Sequence, residues 1–247
     1  MSFEEDLVRE INILRSNPKG YIQKMKKYIS YFEGNLLKLP GSEASIETQE
    51  GVAAYNDAIS YLSKQKPVEP LQPSKGLARI AKDFVAEIQK VNPDDIGSID
   101  LDKIIEKYGN FTGDLARALD LGGETPEQVI VNLMASDGDP SREQRETLFN
   151  NDLKKVGIGF GKLEDFKYVT VIVSCIKFVN NKDSNDSGYF TLSKYNNPAG
   201  PLRKVISENI SEKESFEKGK KVKIVKITRT FADGTKETET VVEREED

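Results

Sequence analysis

The sequence predicts an α+β fold in which the helices come first and the strands later. Apolar residues recur at helical spacing over residues 3–14 and, most clearly, over residues 77–88. Two runs rich in β-branched and aromatic residues follow, at residues 156–160 and 168–178. Because helices and strands do not alternate along the chain, this order favours stacked α and β layers over a parallel wound sheet.

The first two helices have recognisable boundaries. Ser2 and Glu5 form a capping-box pattern before the first helix, and Asn17-Pro18 ends that helix. A second amphipathic run begins there. Its apolar stripe consists of Tyr21, Met25, Tyr28, Ile29 and Phe32.

Polar or proline-containing segments separate the remaining elements. A loop is predicted at residues 39–51, a third helix at residues 52–62 and an extended connector at residues 66–73. Residues 92–102 are predicted to form a further loop. Thr125-Pro126 is a strong helix start, because Thr is a good N-cap residue and Pro is favoured at the first helical position.

The chain is predicted to consist of a domain (residues 1–180), a linker or surface-wrapping segment (residues 181–219) and a charged β-hairpin (residues 220–247). Asp233-Gly234 is a turn signal between two alternating runs. The first run carries Lys and Arg and the second carries Glu, so opposite charges can pair across the strands.

The hairpin is the segment for which we predict a partner-binding role. An isolated hairpin is only marginally stable in water, so this one either extends the sheet of its own domain or adds strands to a partner. Its candidate partner-binding residues are Val222, Ile224, Val225, Ile227 and Phe231.

The composition excludes several classes of function. The chain has no histidine, and its single cysteine is Cys175, so a Ser-His-Asp triad, a Cys-His pair and a His-ligated zinc are ruled out. The net charge of −5 argues against a broad nucleic-acid-binding surface. The acidic N-terminus does not have the form of a secretory signal, and one cysteine suits a reducing compartment. We therefore expect an intracellular, cytoplasmic protein.

Four stretches of the chain resemble the CAP superfamily (SCP/PR-1-like). They are residues 10–18 (EINILRSNP), 77–84 (LARIAKDF), 136–145 (SDGDPSREQR) and 156–159 (VGIG). The third is similar to the Asp-Asp-Gly-Val-Pro-Ser-Arg-Gly-His-Arg segment of the family. The resemblance implies an α-β-α sandwich with a small antiparallel sheet between helical layers.

Many CAP domains place two His and two Glu in a central cleft that can hold a divalent cation. Carried over to this chain, those positions fall at Asp95, Arg117, Gln128 and Gln144. All four ligands are thus replaced, and Arg117 would put a fixed positive charge where the cation should lie. The resemblance therefore implies a degenerate site without metal or cofactor. We expect an internal polar network there, with Asp95 or another carboxylate pairing with Arg117.

Each of these residues also has a structural interpretation. Gln128 and Gln144 follow Thr125 and Ser141 by three residues, which is the capping-box spacing. Asp137, Asp139 and Glu143 could act as paired carboxylates in acid/base catalysis, but Asp-Gly-Asp-Pro is also common turn chemistry. We favour the structural interpretation in both cases.

The leading hypothesis is a non-catalytic intracellular CAP-domain protein that serves as a structural or binding module in a larger assembly, in a cytoskeletal or ciliary setting. Other proteins of that assembly would bind through the hairpin and exposed helices. One alternative is a lipid- or small-ligand-binding protein at a membrane face, contacting lipid through the tyrosines and lysines of the second helix. A second alternative is a hydrolase that uses carboxylates such as Asp95 or Glu143.

Overall fold

The computed structural model describes residues 2–42, 44–181, 205–217, 220–231 and 236–244. The chain divides into two compact units, Met1–Pro198 and Ala199–Asp247. All of the helices described below belong to the first unit.

The helices of the first unit follow the apolar periodicity of the sequence. They are α1 (Phe3–Ser16), α2 (Pro18–Ile29), α3 (Val52–Lys64), α4 (Lys75–Ile88), a 3-10 helix (Pro93–Ser98), α5 (Leu101–Tyr108), α6 (Pro126–Ala135) and α7 (Glu143–Phe149). The capping box at the start of α1 is present, with Ser2 and Glu5 each bonding the other's backbone N–H. Helix α2 is shorter than predicted, because Phe32 lies in a strand and packs edge-on against Tyr55.

Seven strands are described in the first unit. They are β1 (Phe32–Glu33), β2 (Leu36–Leu37), β3 (Ile46–Glu47), β4 (Gln72–Pro73), β5 (Gly109–Leu121), β6 (Lys155–Leu163) and β7 (Lys167–Asn180). Strands β1, β2 and β3 form a small sheet, so β3 is a correction to the loop predicted at residues 39–51. The central sheet has the order β4-β6-β7-β5, with β4 parallel to β6 and the other pairs antiparallel.

Helices cover both faces of the central sheet. On one face, Leu77 and Phe84 of α4 pack with Val171 and Val173 of β7. On the other face, Ile172 of β7 joins the core formed by α1, α2, α3, α6 and α7. Side chains alternate between the faces of a strand, so β7 contributes to both cores. The predicted α+β sandwich is confirmed.

The two glycines of the Val-Gly-Ile-Gly strand, β6, lie against the backbone of helix α4. A Cβ atom on Gly157 would lie 2.1 Å from the backbone nitrogen of Ala78, and one on Gly159 would lie 2.3 Å from the backbone oxygen of Ala81. The intervening Ile158 faces the other core and is buried. Only hydrogen at alternate positions of β6 lets α4 pack directly on the sheet.

Strand β5 was not predicted from the sequence. Its 13 residues include Gly113, Asp114 and two alanines, which have low strand propensity. Pairing with the strongly β-prone β7 along its whole length overrides that weak local preference. The register shifts between Thr112 and Leu115, where Gly113 has a φ of 77°.

The second unit is a three-stranded antiparallel sheet of β8 (Val205–Glu217), β9 (Lys220–Phe231) and β10 (Lys236–Arg244), in the order β10-β9-β8. The predicted hairpin arms are β9 and β10, and their register sets Arg229 opposite Glu237 and Lys223 opposite Glu243. The predicted turn at Asp233-Gly234 and the side chains of the predicted partner-binding residues lie outside what the structure describes.

Strand β8 corrects part of the segment predicted as a linker at residues 181–219. Its Ser- and Glu-rich sequence has little apolar alternation, so no local signal marked it as a strand. It pairs with β9 from Val205↔Phe231 to Glu217↔Lys220. The hairpin's first arm is therefore covered on its other side by the chain's own β8.

We predict that Gly157→Ala destabilises the first unit by about 3 kcal/mol or more, since its methyl group would overlap the backbone of α4. Urea unfolding followed by circular dichroism measures the change. Gly97→Ala is the matched control, because a Cβ at Gly97 meets no atom within 4 Å. Equal stabilities of the two variants would contradict the close-packing explanation.

Candidate functional site

A cleft of about 540 Å³ opens beside the N-terminal end of α6. One wall comes from the loop after β2, a second from the start of α6, and Lys167 closes a third side. The lining residues are Leu39, Pro40, Gly41, Ser42, Ala44, Glu124, Thr125, Gln128 and Lys167. One of the four family cleft positions, Gln128, therefore lines a cavity.

Gln128 is held by the start of its own helix. Its backbone N–H donates to Thr125 Oγ1 at 3.2 Å, and its Oε1 accepts the backbone N–H of Glu124 at 3.1 Å. In a capping box, Gln128 would accept the backbone N–H of Thr125; here it accepts that of Glu124, one residue earlier. The Gln128 Oε1 atom therefore has a structural role, close to the one predicted. Gln128 is only 6% exposed, and no described residue accepts a hydrogen bond from its Nε2.

An ion pair lies at the rim of this cleft. Lys167 Nζ is 2.7 Å from Glu124 Oε1, and the same ammonium lies 5.9 Å from the centroid of the Tyr168 ring. The hydrogen bond to Glu124 raises the pKa of Lys167. Lys167 has a φ of 68°, which is uncommon for a side-chain-bearing residue and sets the turn that leads into β7.

Gln144 does not cap its helix, which corrects the sequence interpretation. The N-cap of α7 is Arg142 in the left-handed region, and Ser141 Oγ accepts from Glu143 rather than from Gln144. Gln144 Oε1 instead accepts the backbone N–H of Leu119 at 2.7 Å. This bond satisfies a backbone donor of β5, which is an edge strand of the central sheet.

Asp95 and Arg117 do not pair, contrary to the network expected from the sequence. Asp95 is exposed in the 3-10 helix. The Arg117 guanidinium lies 4.7 Å from the centroid of the Phe84 ring, as a cation–π contact with α4. Strand alternation explains the difference: Ala116 and Ala118 of β5 pack on the core that includes α6, and Arg117 points to the opposite layer.

The Asp-Gly-Asp-Pro-Ser-Arg segment is a clasp between the α6–α7 loop and the start of α3. Asp137 accepts the backbone N–H groups of Gln49 and Glu50 at 2.7 and 2.8 Å. Glu50 in turn accepts from Gly138 N and pairs with Arg142. The Arg142 guanidinium, together with the Gly138 N–H, lowers the pKa of Glu50 to about 2. Asp137 therefore makes a long-range contact with the segment before α3, which turn chemistry alone did not predict.

Two fully buried arginines serve the helix ends. Arg145 donates through Nε to Met134 O and through Nη2 to Ala135 O, and its Nη1 lies 2.8 Å from Asp57. Both of these carbonyls belong to the last turn of α6, where intrahelical donors run out. The same helix end favours a positive charge through its dipole.

Arg15 donates hydrogen bonds to the carbonyls at the C-terminal end of α7. Its Nη1 donates to Leu148 O at 2.7 Å and to Asn150 O at 3.1 Å, and its Nε donates to Glu69 O at 2.8 Å. Burial lowers its pKa to about 10, so the guanidinium stays charged at neutral pH. Nη2 is buried without an acceptor among the described residues.

Asp120 is a buried acid that sequence reasoning missed. It is 5% exposed, and its carboxylate accepts from Asn132 Nδ2 at 2.8 Å and from Gly123 N at 3.0 Å. Burial raises its pKa to about 6, although both hydrogen bonds act in the opposite direction. The signal was weak because Asp120 lies in the unrecognised strand β5.

A model of the cysteine-rich secretory protein family, CAP, matches residues 8–177. The chain belongs to the CAP family. No curated protein matches it. The matched region ends before the second unit, so the β8–β10 sheet lies outside the part of the chain that the family describes.

The residues that the resemblance places at the family's cation ligands do not suit a cation. They are two amides, a guanidinium and an exposed carboxylate, and Gln128, Gln144 and Arg117 each contact a different part of the domain. Within the described residues, no group of three or more His, Cys, Asp or Glu is placed to hold a metal ion. None of the described helices is long and apolar enough to cross a membrane.

We predict that Arg145→Met destabilises the CAP domain by about 3–5 kcal/mol, because two helix-end carbonyls and Asp57 lose their buried partner. Chemical denaturation gives the value. Lys90→Met is the control, since it removes only a surface ion pair with Glu87 and should cost under about 1 kcal/mol. A small effect at Arg145 would show that the helix ends do not need the guanidinium.

Asp120 makes stability depend on pH. Its folded-state pKa of about 6 lies above the ordinary aspartate value, so folding is favoured when the group is protonated. That contribution is fully present below about pH 4 and is lost as the pH rises through 6. Asp120→Asn, which cannot ionise, should therefore gain about 3 kcal/mol relative to the natural chain between pH 4 and pH 7.5.

Urea unfolding of the natural chain and of Asp120→Asn at pH 4 and pH 7.5 measures this change. Any pH-independent cost of replacing the carboxyl group by an amide cancels in the comparison between the two pH values. Glu143→Gln, the same kind of change at an exposed carboxylate, is measured alongside as the control. A stability gap for Asp120→Asn that is the same at both pH values would mean that Asp120 ionises normally in the folded protein.

Proposed function

We propose that the protein is a non-catalytic, intracellular binding module that works within a larger protein assembly. One observation supports the non-catalytic part: the residues that the family resemblance places at the cation positions contact the fold or face solvent. CAP domains are also generally non-catalytic. The module would use its CAP unit as a rigid body and its second unit for docking.

The charge order of the second unit supports a docking role. The central strand β9 carries Lys220, Lys221, Lys223, Lys226 and Arg229 and no acid. Its neighbours are acidic: β8 has four Glu against one Lys, and β10 has three Glu against one Lys and one Arg. The register therefore pairs the central strand with opposite charge on both sides.

The charges of the two outer strands determine what kind of segment could pair with the edges of the sheet. Both outer strands carry an excess of acid, so edge-to-edge pairing with a second copy would bring like charges together. A basic strand or segment of another protein would instead repeat the contact that β9 makes with its neighbours. We therefore expect a partner that presents a basic segment to β8 or β10.

Part of the helix on which the lipid-binding alternative rests is engaged within the domain. Tyr21 and Tyr28 of α2 are buried in the core, and the Tyr21 hydroxyl donates to Glu10. Lys24 pairs with Glu10 and Glu127, and Lys27 also pairs with Glu127. The hydrolase alternative has no support either, since Asp95 and Glu143 are exposed and lie on separate elements.

Gentle purification of the tagged full chain from its own cells, followed by native mass measurement and peptide identification, tests the proposal. We expect a complex well above the 27.6 kDa of the chain, with partners that identify a cytoskeletal, ciliary or other assembly. A chain ending at residue 198 should be released as a monomer. Val225→Pro in the full chain should have the same effect, because it removes a ladder N–H from the central strand.

The truncated chain must show the same thermal transition for the CAP unit as the full chain, so that release is not mistaken for unfolding. A full-length chain that runs as a free monomer with its second unit present would refute the assembly role. A complex that survives both changes would move the docking surface to the CAP unit.

A further inference from the structure

The outer side of strand β5 is an edge of the central sheet. β5 is the last strand in the order β4-β6-β7-β5, so β7 pairs with only one side of it. The N–H of Leu119 donates to Gln144 Oε1 and therefore points away from β7. Because backbone groups alternate in direction along a strand, the N–H groups of Arg117 and Leu115 point the same way as that of Leu119.

The hydrogen bonds of β7 indicate the same direction. Lys154 N donates to Cys175 O, so the odd-numbered residues of this part of β7 direct their backbone groups away from β5. Ile172 therefore directs its backbone groups toward β5, where its register partner is Ala118. The even-numbered residues of this part of β5 thus bond β7, and the odd-numbered residues face outward.

Two outward N–H groups of this edge have no partner among the described residues. Gln144 bonds Leu119, but none of the hydrogen bonds in the described part of the chain reaches the outward N–H of Leu115 or Arg117. An added strand would supply acceptors at this spacing. The bulge between Thr112 and Leu115 interrupts the edge on one side, so the open stretch suits a short segment.

The Arg117 side chain gives this edge a positive charge that no described carboxylate neutralises. Arg117 is exposed, and its guanidinium lies 4.7 Å from the centroid of the Phe84 ring. Partial burial lowers the pKa of Arg117, and no neighbouring carboxylate opposes that shift. A cation beside an open edge favours an acidic residue in the strand that is added.

A second copy of this chain is a poorer occupant of the edge. Antiparallel pairing of two β5 strands about Ala116 would set Arg117 of each copy opposite Leu115 of the other. The two guanidinium groups would then lie on diagonal positions of one face, where like charges repel. The edge therefore suits a segment of a different protein.

We propose that the edge of β5 binds a short extended segment of a partner protein that carries an acidic residue. The segment would pair with the backbone of Leu115 and Arg117 as an added strand, and its carboxylate would accept from the Arg117 guanidinium. This edge belongs to the CAP unit, so its role does not depend on the docking role proposed for the second unit.

Three short peptides test the proposal by NMR titration of the full, ¹⁵N-labelled chain: acetyl-Thr-Val-Glu-Val-Thr-amide, its Lys analogue and its fully N-methylated analogue. The Glu peptide should shift the amide resonances of Leu115 and Arg117 and slow their hydrogen exchange, because it supplies their missing acceptors. The Leu119 N–H is an internal control, since Gln144 already bonds it. The Glu peptide should bind about threefold or more tightly than the Lys peptide. The N-methylated peptide should not bind, because it has no backbone donors.

Arg117→Glu should reverse the preference, so that the Lys peptide binds more tightly than the Glu peptide. Lys19→Glu makes the same change of charge at an exposed position of α2 and should leave the preference unchanged.

The proposal is overturned if the Glu peptide at millimolar concentration leaves the Leu115 and Arg117 amides unshifted, if the Glu and Lys peptides bind equally, or if N-methylation leaves binding intact. If the amide spectrum shows that Arg117→Glu is unfolded, the three peptides on the natural chain decide the matter.

Discussion

Two buried guanidinium groups hold the helical layer of this CAP domain together. Helices α1, α6 and α7 contact one another, and the last carbonyls of α6 and α7 have no donors within their own helices. Arg145 serves the end of α6 and Arg15 serves the end of α7. A planar group with five donors is suited to such a junction, and both arginines belong to the stretches that identify the family in the sequence. Those motifs therefore encode the architecture of the layer as much as any chemistry.

The hydrogen bonds of Asp137 fix the start of α3 in a similar way, because a buried or half-buried side chain again bonds backbone groups of another element. Backbone N–H groups of Gln49 and Glu50 end on the Asp137 carboxylate, and Glu50 returns a bond to Gly138 and Arg142. The family scaffold is thus maintained by side-chain-to-backbone bonds that need no cation. The residues that the family resemblance places at the ligand positions make contacts within the domain: Gln144 accepts from the edge strand β5, Arg117 lies over Phe84, and Gln128 accepts from the loop before α6.

The second unit is organised by charge. A basic central strand between two acidic strands gives a sheet whose register sets opposite charges beside each other.

The sequence by itself determined the elements with strong local signals: the capped helices α1 and α6, the α4 stripe, the β-branched strand β7, the hairpin arms and the family that the motifs indicate. It also determined that histidine chemistry is absent. Tertiary structure decided the strands with weak local signals and the partners of individual polar side chains. Strands β5 and β8 are only weakly marked by their own residues, and each pairs along its length with a strongly β-prone partner. The partners of Gln144 and Arg117 depend on which way β5 faces, and the burial of Asp120 depends on α6 packing over it. Contacts between residues distant in sequence set these features, and no local pattern records them.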